Sequence, residues 1–221
     1  MRLALFTYLL ACLSSIAKAQ DKSFVLAPLI GLDQISPNRT PVVSTGIAQN
    51  VAVVYKPGVL YGLEGSYSIR RVLLSGQLTT TNRIYEATGL YRGNANLPVR
   101  VSVQGRYFSL PLTISYLVKS RGPVQIYAGI GLIPELISSR FKPTSYDILG
   151  SGISVHLEPQ KPSKPFALGS LVHIRGRYML NSQFLIQLQG EFRYFTKIQN
   201  PFITTDNSSF SLAASIGYRL F

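Results

Sequence analysis

From residue 24 onward, hydrophobic and polar positions alternate with a period of two, the spacing of strands whose two faces meet different surroundings. Along residues 183–198, Phe184, Ile186, Leu188, Phe192, Tyr194 and Ile198 share one face with Gly190 and Thr196, while Gln183, Gln187, Gln189, Glu191, Arg193 and Lys197 share the other. The division persists for about sixteen residues, against roughly 5–6 for a strand of a soluble sheet. In residues 166–178, Phe166, Leu168, Val172, Ile174 and Tyr178 oppose Gly169, His173, Arg175 and Arg177. In residues 124–136, Val124, Ile126, Ala128, Ile130, Leu132 and Leu136 oppose Gln125, Tyr127, Gly129, Gly131 and Glu135. In residues 107–118, Phe108, Leu110, Leu112, Ile114, Tyr116 and Val118 oppose Tyr107, Ser109, Thr113 and Ser115. Shorter alternating segments at 24–33, 61–69, 72–84 and 209–221 bring the strands to eight.

The connections fall into two lengths. Ile69-Arg70-Arg71-Val72, Ser120-Arg121-Gly122-Pro123 and Leu180-Asn181-Ser182 have tight-turn chemistry, whereas residues 34–58, 86–104, 140–164 and 199–208 are long and polar. Within the first of these, Ile47, Val51, Val53 and Val54 give a long loop some strand character. Long and short connections alternate strictly, which predicts an all-β, eight-stranded, antiparallel up-and-down barrel with both termini on the short-turn side. Pro111 and Pro134 each remove a ladder donor and should mark bulges or weakly paired positions.

Alternation alone does not say which face is inside. A soluble barrel buries its apolar face, and a membrane barrel turns it to lipid. Three features point to lipid. Residues 1–19 form a secretory signal peptide: Arg2, an apolar run from Leu3 to Leu13, and the small-x-small cleavage pattern Ala17-Lys18-Ala19, leaving 20–221 as the barrel domain. A lipobox reading of Leu9-Leu10-Ala11-Cys12, with Cys12 lipidated, is the competing interpretation of that segment. The clearer strands exceed the roughly 9–11 residues that cross a bilayer at a tilt. Finally, Phe24, Tyr61, Tyr67, Phe108, Tyr116, Phe166, Tyr178, Phe184, Tyr194, Phe210 and Tyr218 lie on the apolar faces, mostly near strand ends, as interfacial girdles do.

Composition fits this picture and removes others. The chain has 221 residues, 46% of them hydrophobic and 14% charged, with one Cys, so neither disorder nor an internal disulfide framework is expected. No apolar run approaches the roughly 20 residues of a transmembrane helix. The formal charge of +13 falls to +11 if Arg2 and Lys18 leave with the signal peptide. Arg83, Arg92, Arg100, Arg140, Lys142, Lys161 and Lys164 are expected together on the outer side, where lipopolysaccharide phosphates or solvent would meet them. Export and the lack of a recognisable module disfavour nucleic acid.

With lipid outside, Glu64, Glu135 and Glu191 are expected in the lumen among Arg175, Arg177, Arg193, Gln77, Gln125, Gln187 and Gln189. Eight strands leave a bore that side chains can fill, so this predicts a structural polar network and no open pore. There is no metal-ligand cluster or phosphate-binding glycine loop, and no cofactor is expected. Ser154-Val155-His156-Leu157-Glu158 holds the residue types of a hydrolytic triad, but such near neighbours do not readily assemble one. His173 reads as a lumen residue near Arg175.

The run Tyr107-Phe108-Ser109-Leu110-Pro111-Leu112-Thr113-Ile114-Ser115-Tyr116 resembles the aromatic-x-x-aliphatic-Pro-Leu strand of PorT-like outer-membrane barrels. Tyr127-Ala128-Gly129-Ile130-Gly131-Leu132 resembles the aromatic-to-glycine run of their next strand. The resemblance spans about residues 24–221, and the architecture is similar to the OmpA/OmpX barrels of Gram-negative bacteria. Tyr218, Leu220 and Phe221 resemble the barrel insertion signal, although Tyr218 stands three places before Phe221 where the family commonly has two. The resemblance implies an outer-membrane location and insertion by the barrel assembly machinery. The functions then expected are envelope integrity or a barrel subunit of an envelope or secretion complex, without catalysis; the alternatives are a lipid A-modifying enzyme or a small passive channel. A chain ending on its last strand is not expected to anchor to the cell wall.

Overall fold

A computed structural model describes residues 22–37, 48–91, 98–137, 142–148, 153–155, 166–199 and 204–220. These residues form β1 (Lys22–Pro37), β2 (Ala48–Lys56), β3 (Gly58–Ile69), β4 (Val72–Tyr91), β5 (Pro98–Ser109) and β6 (Leu112–Arg121). They continue as β7 (Val124–Ile137), β8 (Lys142–Ile148), β9 (Ile153–Val155), β10 (Phe166–Met179), β11 (Phe184–Gln199) and β12 (Thr204–Arg219). Eight of them close a ring in the order β1, β3, β4, β6, β7, β10, β11, β12 and back to β1, every pair antiparallel. The fold is a closed eight-stranded antiparallel barrel, and the ring leaves no unpaired edge.

Two walls are broken strands. β2 continues the line of β3 along β4, but four residues separate Lys56 from Leu60 where three separate their partners Ile84 and Thr81. Pro57 lacks a donor, and Gly58 presses so close to β4 that an added Cβ would lie 2.2 Å from the Asn82 carbonyl oxygen, so the extra residue is absorbed as a bulge there. β5 continues into β6 differently. Ser109 pairs with Thr79 and Thr113 with Ser75, four residues apart on both strands, so Pro111 interrupts the ladder without inserting a residue. Its carbonyl still accepts from the Gln77 amide at 2.9 Å, and the Leu110 amide donates to the Pro134 carbonyl at 2.9 Å. Pro134 itself keeps an unbroken register with β10 and marks no bulge.

The two rims differ in construction. At one, Ile69 pairs with Val72 across Arg70-Arg71, with Arg70 at φ 52°, and Arg121 pairs with Val124 across a Gly122 at φ 57°. The third tight turn is held by Asn181, whose side-chain oxygen accepts from the Gln183 and Phe184 amides at 2.8 and 2.7 Å. The Leu220 amide donates to the Phe24 carbonyl at 2.9 Å, so the first and last described strands also begin and end at this rim. At the other rim, β2 and the upper part of β5 flank the end of β4, and the β8–β9 hairpin adds to the far side of β5. Residues 34–58, 86–104 and 140–164, expected as loops, therefore contain strand that carries the sheet beyond the ring.

Side chains are distributed inside out. On β11, Gln187, Gln189, Glu191 and Arg193 are no more than 5% exposed, while Ile186, Leu188, Phe192 and Tyr194 lie outward at 37–56%. Outward aromatics form two belts. Phe24 faces Tyr67, Phe184 faces Tyr218, and Tyr116 and Tyr178 complete the belt near the short turns; Tyr61, Phe108, Phe166, Tyr194 and Phe210 form the other.

Candidate functional site

The lumen gathers the chain's concentrated chemistry. Strand pairing sends alternate residues of neighbouring strands to the barrel axis, and charged residues at those positions meet across it. Among the described residues, four arginines (Arg83, Arg175, Arg177, Arg193) and four carboxylates (Asp33, Glu64, Glu135, Glu191) are buried there, so their formal charges cancel.

Nearer the short turns, Glu64 is the shared acid. Its Oε1 accepts from Arg175 Nη1 at 2.6 Å and lies 3.7 Å from Arg177 Nη2, and its Oε2 accepts from Gln77 at 3.3 Å. Arg175 also donates to Gln189 at 2.6 and 3.0 Å and to Ser75 at 3.3 Å. Arg177 donates to Gln187 at 2.5 Å and to Ser66 at 2.6 Å, and its guanidinium lies 5.5 Å from the centre of the Tyr127 ring. The Tyr127 hydroxyl in turn donates to Gln125 at 3.1 Å.

At mid-height, Glu191 accepts from four donors: Arg193 at 2.6 and 2.8 Å, Gln189 at 2.7 Å and Ser211 at 3.3 Å. Higher still, Arg83 bridges two acids. Its Nε donates to Asp33 at 2.8 Å, and Nη1 and Nη2 clamp Glu135 at 2.6 and 3.0 Å, the two-pronged geometry suited to a carboxylate. Tyr107 covers the guanidinium at 4.4 Å, and Ser109 donates to Glu135 at 2.8 Å. Ile133, Leu171 and Phe195 pack together inside the barrel, and the Phe195 ring centre lies 5.9 Å from the Arg83 guanidinium.

Glu64, Glu135, Glu191, Arg175, Arg177 and Arg193 thus all lie in the lumen, in three connected groups. Arg83 corrects an expectation. It does not join the outer cations; it is 2% exposed and occupies the lumen, because β4 runs on to Tyr91 and the odd-numbered positions around Arg83 point inward. Asp33, the residue opposite it, sits inside a β1 that extends to Pro37. Of the other outer cations, Arg100 is exposed, nothing is described of the Lys142 side chain, and Arg92, Arg140, Lys161 and Lys164 lie outside the described residues.

The serine–histidine question has a specific answer in the lumen. Ser115 Oγ lies 2.8 Å from His173 Nε2, but His173 Nδ1 has no hydrogen-bond partner, and the two Glu191 oxygens are occupied by Arg193, Gln189 and Ser211. The pair lacks the acid that would orient the ring, and both residues are buried. In the 154–158 motif, Ser154 belongs to β9, whereas His156, Leu157 and Glu158 lie outside the described residues. Tyr218 and Leu220 point outward at 41% and 48% exposure; Phe221 and the proposed signal peptide 1–19, with Cys12, lie outside the described residues. No group of three or more potential metal ligands occurs among the described residues.

No family model matches the chain, and no curated protein matches it in sequence. Solved structures do match. Neisserial surface protein A is 14% identical with a TM-score of 0.46, covering 88% of this chain and 96% of its own. The attachment invasion locus protein Ail of Yersinia pestis is 11% identical with a TM-score of 0.48, covering 91% and 100%. The outer membrane protein OprG of Pseudomonas aeruginosa is 11% identical with a TM-score of 0.50, covering 90% and 97%. At these identities what is shared is the fold, and this chain has the fold of an outer-membrane β-barrel.

Proposed function

We propose that the protein is a non-enzymatic barrel of a bacterial outer membrane, with both termini on the periplasmic side, serving envelope integrity or forming the barrel subunit of a larger envelope or secretion assembly. One observation carries the proposal: charged residues are buried along the axis while Ile30, Leu63, Leu78, Ile130 and Ile174 stand outward at 60–64% exposure. An apolar surface that continues around a ring is too large to leave in water, and lipid is the surrounding that matches it. The crosslinked, charge-balanced lumen supports a closed core over a conducting pore, so activity is assigned to the rims and the outer wall. The resemblance of Tyr107 to Tyr116 to PorT-like barrels supports the assembly version. Partners on this reading are outer-membrane lipid and lipopolysaccharide, the barrel assembly machinery at biogenesis, and an envelope protein complex.

The test is to extract the protein from isolated outer membranes in mild detergent and measure the mass of the particle that carries it. A particle well above one barrel supports the assembly role, and its other components identify the partner; a single-barrel mass restricts the protein to the envelope-integrity role. Recovery in the water-soluble fraction overturns the location. Altered lipid A after gene deletion overturns the non-enzymatic reading, and stepwise conductance in planar bilayers overturns the closed lumen.

A further inference from the structure

We infer that the outer wall formed by β1, β3, β4 and β6 binds one anionic phospholipid, with an acyl chain in the groove at Gly65 and Gly76 and the phosphate on the cations of the short-turn rim directly below. The inference rests on the membrane reading above and adds a site to it.

A groove of about 550 Å³ runs between Phe24, Gly65, Tyr67, Leu74, Gly76 and Leu112 on this wall. Gly65 and Gly76 are direct cross-strand partners, and their neighbours Leu63, Leu74 and Leu78 point outward. These two glycines are unlike those the barrel needs for closure. At Gly31, Gly62, Gly129 and Gly131 an added Cβ would fall 2.1–2.4 Å from a backbone oxygen of the next strand. At Gly65 and Gly76 it would meet nothing nearer than 3.5 and 3.4 Å, in both cases side chains. Barrel packing therefore does not demand glycine here, and the missing side chains leave space that opens outward. Tyr67, which lines the groove, has a hydroxyl buried without a hydrogen-bond partner.

The rim below supplies the charge. Arg70 and Arg71 form the β3–β4 turn and are exposed, Lys22 pairs with Ile69 beside them, and Lys119 and Arg121 end β6 on the other side. Arg71 is fixed toward β6: its carbonyl accepts from the Leu117 amide at 2.8 Å, and its Nη1 donates to the Tyr116 hydroxyl at 3.3 Å. Among the described residues this rim holds no Asp or Glu. Gly65 lies four residues above Ile69, about 14 Å at 3.4 Å per residue, a distance one acyl chain covers while its headgroup remains at the rim. Guanidinium groups beside an apolar groove at that spacing match a lipid phosphate, and with this rim periplasmic the lipid is a phospholipid of the inner leaflet.

The full chain, purified in detergent, is mixed with equal phosphatidylglycerol and phosphatidylcholine and examined by native mass spectrometry. One phosphatidylglycerol retained in preference to phosphatidylcholine is expected, with retention falling about tenfold or more in Arg70→Gln/Arg71→Gln. Gly76→Leu, which fills the groove without changing charge, should also lower retention, while Arg106→Gln near the opposite rim should not. Equal retention of the two lipids, or unchanged retention in the turn variant, overturns the site even if Gly76→Leu fails to fold. A particle of twice the chain mass that Gly76→Leu reduces to one assigns the groove to a second copy and overturns lipid occupancy. A chain that inserts into vesicles yet shows no lipid preference refutes only this inference; one that does not insert at all refutes the membrane reading beneath it.

Discussion

Glu64 and Arg83 are both hubs of the lumen, and they solve the problem of buried charge in opposite ways. Around Glu64, one acid serves two arginines, and each arginine has neutral partners of its own: Gln189 and Ser75 for Arg175, Gln187 and Ser66 for Arg177. Around Arg83, one cation serves two acids. Beside Arg83, Glu135 is held by the Ser109 hydroxyl, and the nearest Arg193 nitrogen stands 3.9 Å from Asp33. Positive charge near the short turns is shared out among amides and hydroxyls; negative charge higher up rests chiefly on Arg83, with Arg193 a more distant second cation at Asp33. The two groups should therefore respond differently to loss of their centres.

The largest effect is expected at Arg83. Arg83→Met leaves Asp33 and Glu135 buried with little compensation, and breaking a buried pair in this way costs about 3–5 kcal/mol. Urea unfolding of the barrel in lipid vesicles measures it. If Asp33→Asn and Glu135→Gln are then added, most of the loss should return, because removing a whole ionic group is nearly neutral where removing one member is not. A triple variant as unstable as Arg83→Met would mean that guanidinium packing against Tyr107, and not stranded charge, accounts for the loss.

Glu64→Gln should cost less, about 1–3 kcal/mol, since the amide oxygen still accepts from Arg175 and both arginines keep their neutral partners. The same unfolding assay compares the two. A Glu64→Gln loss equal to that of Arg83→Met would erase the proposed difference between the groups.

How plainly each group can be read in the sequence follows from its position on a strand. Gln187, Gln189, Glu191 and Arg193 declare the inward face of β11 because polar residues fill it without interruption. Arg83 and Asp33 lie where alternation weakens. Arg83 is flanked by Asn82 and Ile84 and is followed by a mixed run, so nothing local distinguishes an inward arginine from a loop cation. It becomes identifiable only once β2 and β5 are seen to pair with β4 beyond it. Val99-Arg100-Val101-Ser102-Val103-Gln104 carries a period-two pattern that signals β5 within a stretch whose polarity suggests a loop. Inward apolar residues are a different case. Leu73, Ile133, Leu171, Leu185 and Phe195 are buried within the barrel, where a face rule that assigns apolar side chains to lipid has no place for them. A narrow lumen needs volume as well as charge compensation, and period two carries no information about volume.

The smallest effect sharpens the account of Glu135. Ser109 Oγ donates to the same Oε2 that accepts Arg83 Nη2, so Ser109→Ala removes one hydrogen bond while the two-pronged arginine contact remains. About 1 kcal/mol is expected from the loss of a single buried hydrogen bond to a charged acceptor that keeps other donors. The informative quantity is the coupling. If Arg83 is the group that makes burial of Glu135 tolerable, Ser109→Ala should cost more in the Arg83→Met background than alone, because with the guanidinium gone more of the burden of that carboxylate falls on the hydroxyl. Strictly additive losses would show that Glu135 does not depend on Arg83 in this way, and the contrast between a shared acid near the short turns and a single bridging arginine above it would fail at its central point.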